Sequence, residues 1–110
     1  MPTNATTLHL TSKNFTDETS HGVAMVDFWA TWCPPCRALT PTIDALASEY
    51  QGRVAVGKVN VDQERGIAGT YGVQSIPTIV FLRDGEEVAR VVGLRSRDDL
   101  ARALDGLLAG

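Results

Sequence analysis

Apolar positions in this chain follow two patterns: short runs that are continuous or alternate, and longer stretches with apolar residues three and four apart. The strongest run is Val23–Ala30 (V-A-M-V-D-F-W-A), nearly all apolar, as expected for a strand covered on both faces in the middle of a sheet. Before it, Thr6–Leu10 is short and β-prone, and Thr11 or Ser12 is placed to cap a brief helix through about Ser20, with Phe15 as its main core contact. After Cys36, residues Leu39, Ile43, Leu46, Ala47 and Tyr50 recur at helical spacing, which predicts an amphipathic helix kinked at Pro41 and ended by Gly52. Arg53–Val61 alternates as a strand, and Asp62 to about Tyr71 reads as a weak helix interrupted by Gly66 and Gly69. Ile79–Arg83 and Glu86–Val92 are strand-like arms around the turn pair Asp84-Gly85, closed by Gly93. Ser96 opens a last helix with an apolar stripe of Leu100, Leu104, Leu107 and Leu108, and with Asp99 it approximates a capping box.

The resulting order is β-α-β-α-β-α-β-β-α. Alternating strands and helices imply parallel crossovers, and the hairpin adds an antiparallel edge, so the expected class is an α/β layer structure. At 110 residues the chain is expected to be a single domain, 1–110, with one hydrophobic core. Ten basic against thirteen acidic residues leave a net charge of −3, which gives no electrostatic reason to expect nucleic acid or an anionic membrane as partner. No apolar run approaches the roughly 20 residues that span a bilayer. The first ten residues lack the basic and apolar segments of an export signal, so a reducing cytoplasm is the expected compartment.

That compartment bears on Cys33 and Cys36, the only cysteines. They follow the apolar strand in D-F-W-A-T-W-C-P-P-C, at the start of a helix, where residues i and i+3 share a face at a Cα separation of about 5 Å. This lies within the roughly 4.4–6.8 Å a disulfide allows. A reversible dithiol/disulfide site is the functional reading, and an inert disulfide is the alternative. A closed zinc site takes about four ligands, and only His9 and His21 remain, at irregular spacing, so no metal is expected. Asp27 is a carboxylate inside a strand buried on both faces. It must be paired, hydrogen-bonded at a strand end, or protonated. Lys58 on the next strand is either its neighbour or a solvent-facing lysine.

The segments V-D-F-W-A-T-W-C-P-P-C-R, K-V-N-V-D, Y-G-V-Q-S-I-P-T, F-L-R-D-G and V-G, in this order and spacing, resemble the thioredoxin family from about Phe15 to the C-terminus. The resemblance implies a thioredoxin fold, a central five-stranded mixed β-sheet flanked by four helices, and protein disulfide reduction without a bound cofactor. It implies that Cys33 is the exposed attacking thiol and Cys36 the resolving one, with Asp27 as the buried proton acceptor and Lys58 as its neighbour. It further implies a cis Ile76-Pro77 bond beside the cysteines and a substrate surface including Trp32, Pro34, Pro35, Ile76, Pro77 and Gly93, with Gly72, Val73 and Leu94 around it. Trp29 is read as packing, and Arg37 as the basic residue usual after the second cysteine. The implied partners are a thioredoxin reductase and disulfide-bearing proteins of the ribonucleotide reductase, peroxiredoxin and methionine sulfoxide reductase type, met by a monomer.

One position departs from the family pattern: Pro34 stands where glycine is usual. Pro35 disfavours the helical region for the residue before it, which predicts a stiffer loop, a helix beginning nearer Pro35 and a shifted reduction potential. With Pro35 unable to donate, the Cys36 N–H is expected to be the main donor to Cys33 sulfur. A thiol oxidase, a disulfide isomerase or a non-catalytic binding module are the rival functions.

Overall fold

A computed structural model of the chain describes residues 7–110. Nine elements follow in the expected order: β1 (Leu8–His9), α1 (Phe15–Thr19), β2 (Val23–Trp29), α2 (Pro34–Glu49), β3 (Val54–Asn60), α3 (Arg65–Thr70), β4 (Thr78–Arg83), β5 (Glu86–Val92) and α4 (Arg97–Ala109). The strands form one five-stranded sheet in the order β1-β3-β2-β4-β5. β3 pairs in parallel with β1 and β2, whereas β4 runs antiparallel to β2 and β5. The nearly unbroken apolar run therefore became the middle strand, and its two faces seed two separate cores. Odd-numbered Val23 and Met25 pack with Leu39, Ile43 and Leu46 of α2 and Leu100 and Leu104 of α4. Even-numbered Ala24, Val26 and Phe28 pack with Leu10 and Ala68, beside Phe15 and Tyr71. The Tyr71 ring lies 5.7 Å from Phe15 and 5.8 Å from Phe28, and so ties α1, α3 and the sheet together.

Several boundaries moved for local reasons. Within the β-prone stretch from Thr6, the first strand keeps only Leu8 and His9, Thr6 itself lying outside the described residues. The first helix starts at Phe15 with Asn14 as N-cap, not at Thr11 or Ser12. The Asn14 side chain accepts from Thr11 N–H (2.7 Å) and donates to the His9 carbonyl (3.0 Å), so Thr11–Asn14 closes as a turn first. The third helix starts at Arg65 and not Asp62, because Asn60 Oδ1 accepts from the N–H groups of Asp62 (2.9 Å) and Gln63 (3.2 Å) and holds them in a turn. α2 runs through Pro41 and ends at Glu49, ahead of Gly52. The hairpin turn has positive φ at Asp84 (51°) and Gly85 (88°), as a type I′ turn requires.

In α4, Ser96 Oγ accepts from Asp99 N–H at 3.1 Å, which is half of a capping box; the Asp99 carboxylate instead pairs with Arg102. Leu100 and Leu104 are buried and Leu107 packs at the margin, but Leu108 is exposed, so the apolar stripe is narrower than the sequence suggested. Tyr50 at the end of α2 donates to Asp105 of α4 at 2.6 Å, fixing the two helices against the same sheet face.

Of the glycines, Gly57 on β3 has the least room for a side chain. A Cβ there would stand 2.6 Å from Leu10 Cδ1 and 2.8 Å from Leu10 Cγ, and Leu10 is itself buried. Gly57→Ala is therefore expected to destabilise the fold by about 1–3 kcal/mol, the usual penalty for overpacking. Urea unfolding with an unchanged m-value and a lowered midpoint checks this.

Candidate active site

The two cysteines meet at the start of α2. Cys33 is the N-cap, extended at φ −99° and ψ 106°, as the residue before a proline must be. Pro34 and Pro35 fill the first helical positions, where a missing N–H costs nothing and a φ fixed near −65° suits the helix. The helix accordingly begins at Pro34, not nearer Pro35 as expected. The first donor left is the Cys36 N–H, and it points at Cys33 Sγ at 3.3 Å. The cysteines form a disulfide with a Cα separation of 5.2 Å. Trp29, Ala30, Val61 and Ile76 pack around the pair, leaving Cys33 4% accessible and Cys36 closed off. Cys33 is thus less exposed than the resemblance implied. Arg37 reaches back to the Thr31 carbonyl at 3.2 Å and stays at the surface.

Asp27 lies mid-strand, not at a strand end, with register partners Lys58 on β3 and Ile79 on β4. Register partners share a face of the sheet, so Asp27, Lys58 and Trp29 all project to the side that α2 covers. Asp27 is 2% accessible, and its Oδ1 has no hydrogen-bond partner. Burial pushes its pKa up from 3.8 to about 7, against a smaller downward pull from the Lys58 charge. Lys58 does not form an ion pair with it: its ammonium stands over the Trp29 ring, 4.5 Å from the centroid. The packing role read for Trp29 is therefore correct but incomplete, since the ring touches both the cysteine pair and this lysine.

The remaining wall comes from the other end of the chain. The Ile76–Pro77 peptide is cis, and the Ile76 carbonyl oxygen lies 3.9 Å from Cys33 Sγ. Thr78, just beyond, donates to the Ser75 carbonyl and steadies this loop. Gly93 sits at φ +96°, a conformation that side chains rarely adopt, and its N–H donates to the Pro77 carbonyl at 2.8 Å. Trp32 is 64% exposed beside the cysteines, and Val92 and Leu94 are exposed at the end of β5 and after it. A cavity of about 480 Å³ opens elsewhere, between α1 and α3, and contains none of these residues.

Two residues of the site were not singled out in the sequence. Asp62 accepts the Trp32 indole N–H at 2.8 Å, and Asn60 holds the turn that presents Asp62. Both lie in the K-V-N-V-D segment, where an Asn two residues before an Asp after a strand is a turn signal. Nothing in the sequence pairs that turn with a tryptophan thirty positions upstream.

The raised Asp27 pKa makes folding pH-dependent with a definite sign. Between pH 3.8 and about 7 the folded state keeps a proton that the unfolded state has lost, so this contribution falls as pH rises and is gone above about 7. Asp27→Asn removes the effect. Its stability relative to the parent chain is expected to climb between about pH 4 and 7 and then level off, by on the order of 4 kcal/mol for a shift from 3.8 to about 7. Urea titrations of both proteins across this range measure the difference.

Comparison with known proteins places this geometry. A family model described as Thioredoxin matches residues 6–106. The chain is 42% identical over 96 residues to a thioredoxin of Staphylococcus haemolyticus (strain JCSC1435), covering 87% of this chain and 92% of that one. It is 41% identical over 96 residues, with the same coverage, to a thioredoxin of Staphylococcus aureus (strain Mu50 / ATCC 700699). The solved structure of a mutant thioredoxin from Halobacterium salinarum NRC-1 matches with a TM-score of 0.88 and 35% identity, over 98% of this chain and 96% of that one. With a family model spanning nearly the whole chain, relatives this similar, the shared five-stranded sheet and a joined Cys33–Cys36 pair, this protein-disulfide reductase belongs to the thioredoxin family.

Proposed function

We propose that Cys33 is the attacking thiol, Cys36 the resolving thiol and Asp27 the acceptor of the Cys36 proton. The carrying observation is the N-cap geometry: Cys33 Sγ receives the first free N–H of α2, at the positive end of the helix dipole. Both influences favour a thiolate in the reduced protein. That thiolate attacks one sulfur of a substrate disulfide. A Cys33–substrate bond forms, the substrate's S–S bond breaks, and its other sulfur leaves as a thiolate. Cys36 then gives its proton to Asp27, directly or through water, and attacks Cys33 Sγ. The mixed disulfide breaks, the second substrate thiolate departs, and the Cys33–Cys36 disulfide remains, two electrons having passed to the substrate.

A buried carboxyl that titrates near 7 and has an unused oxygen supports the acceptor role at neutral pH. Lys58, whose charge pulls that pKa down, keeps it within reach of neutrality. Trp32, Pro34, Pro35, Ile76, Pro77 and Gly93 form the substrate surface, with the Ile76 backbone offered next to the sulfur under attack. The chain acts as one domain and a monomer in the cytoplasm, with no metal or bound cofactor, and meets neither nucleic acid nor membrane. A flavin-dependent, NADPH-driven thioredoxin reductase returns it to the dithiol. Its clients are disulfide proteins of the ribonucleotide reductase, peroxiredoxin and methionine sulfoxide reductase type.

Insulin reduction with dithiothreitol as electron donor tests the assignment of the cysteines. Cys33→Ser is expected to lose activity, whereas reduced Cys36→Ser, freed of dithiothreitol and mixed with insulin, should accumulate a covalent mixed disulfide with substrate. Full activity in Cys33→Ser would overturn the reading. Redox titration against glutathione decides between a reductase and an oxidase or isomerase. For a reductase the midpoint is expected below about −220 mV, the upper edge of the cytosolic glutathione poise. A value well above it would favour the oxidase or isomerase.

A further inference from the structure

Lys58 stands directly across from Asp27 in the β2/β3 register, and both project to the face that α2 covers. A lysine opposite a buried, unpaired carboxyl is the natural partner for an ion pair. The structure has a different arrangement. The Lys58 ammonium lies over the Trp29 ring at 4.5 Å from its centroid, no ion pair joins it to Asp27 among the described residues, and Asp27 Oδ1 has no partner. Trp29 is two positions after Asp27 on the same strand and the same face, so ring and carboxyl compete for one ammonium. Indole is the best π face for a cation, and a half-buried site strengthens the attraction.

We propose that Trp29 is a positioning residue for the proton-transfer step, its indole face holding the Lys58 ammonium off Asp27 so that the buried carboxyl stays unpaired and free to take the Cys36 proton. This rests on the reading of Asp27 as proton acceptor. Among the described residues no other charge acts on Asp27: its register partners are Lys58 on β3 and apolar Ile79 on β4, and α2, which packs on this side of the sheet, brings Leu39, Ile43 and the disulfide-bonded Cys36 to the cores there. Burial and the Lys58 charge are the two influences on its titration. Packing against the cysteines does not require a tryptophan as such, whereas holding an ammonium does require a π face.

The test is a titration of the Asp27 carboxyl carbon by NMR over roughly pH 4–10. It uses the full-length oxidised protein labelled at aspartate, with the resonance assigned by its absence in Asp27→Asn. The parent midpoint is expected at about 7. In Trp29→Leu the freed ammonium reaches the carboxylate, and the midpoint is expected to fall by about one to three pH units. Trp29→Phe, which keeps a weaker π face and the core volume, should fall less. In a Lys58→Met background the substitution of Trp29 should move the midpoint no further. An unchanged or raised midpoint in the Trp29 variants overturns the proposal. So does a fall that persists without Lys58, which would mean that water entering the space left by the ring is the cause. Should Trp29→Leu fail to fold, Trp29→Phe with and without Lys58 decides by the same signs. An Asp27→Asn protein that reduces insulin at the parental rate would sink the acceptor reading and leave the titration result standing.

Discussion

Asp27 lies in the strand that both halves of the sheet pair with, where its carboxylate is almost entirely removed from bulk water. Placing a charge there is unfavourable, and folding answers by letting the group hold its proton up to about pH 7. The same desolvation that weakens the fold at neutral pH gives the site a group with a proton affinity matched to thiol chemistry. On the proposed reading of Asp27 as proton acceptor, stability and activity are opposed at one side chain. The rest of the central strand makes this tolerable: Met25 and Val23 on the same face, and Ala24, Val26 and Phe28 on the other, are buried in two apolar cores that anchor the sheet.

The chemistry depends on where α2 begins. Two prolines in its first turn remove two donors, and the one that remains belongs to the second cysteine and is directed at the sulfur of the first. A short peptide could reproduce that local geometry. It could not supply the wall formed by Ile76, Pro77 and Gly93, which are brought in by β4 and the end of β5. Gly93 serves this wall through its backbone: its N–H donates to the Pro77 carbonyl, and its φ is positive. Trp32, the most exposed aromatic at the site, is steadied by Asp62 from the far end of β3. The site therefore gathers residues from three crossings of the sheet around one helix start.

Much of this was legible in the chain because the signals are local. Period-two and period-3.6 patterns located the strands and helices, and the Asp84-Gly85 pair marked the hairpin through the positive φ its turn demands. Errors arose where side chains competed for the same backbone groups. Asn14 turned back on Thr11 and delayed α1, and Asn60 capped a turn that delayed α3. Pro34 was expected to push the helix start later, but the first turn uses no N–H at that position.

By itself the sequence determined the order of elements, the dithiol spacing, the two prolines between the cysteines and the carboxylate six residues upstream of Cys33. It determined these because spacing, backbone restriction and apolar period act over a few residues. The tertiary structure decided what surrounds them: that the Lys58 ammonium lies over Trp29 and makes no ion pair with Asp27, that Asp62 meets Trp32, and that Cys33 is nearly closed off from water. Those outcomes depend on which of several partners reaches a given atom first across the sheet, and on how much water the packing leaves. Neither is a property of any short stretch of chain.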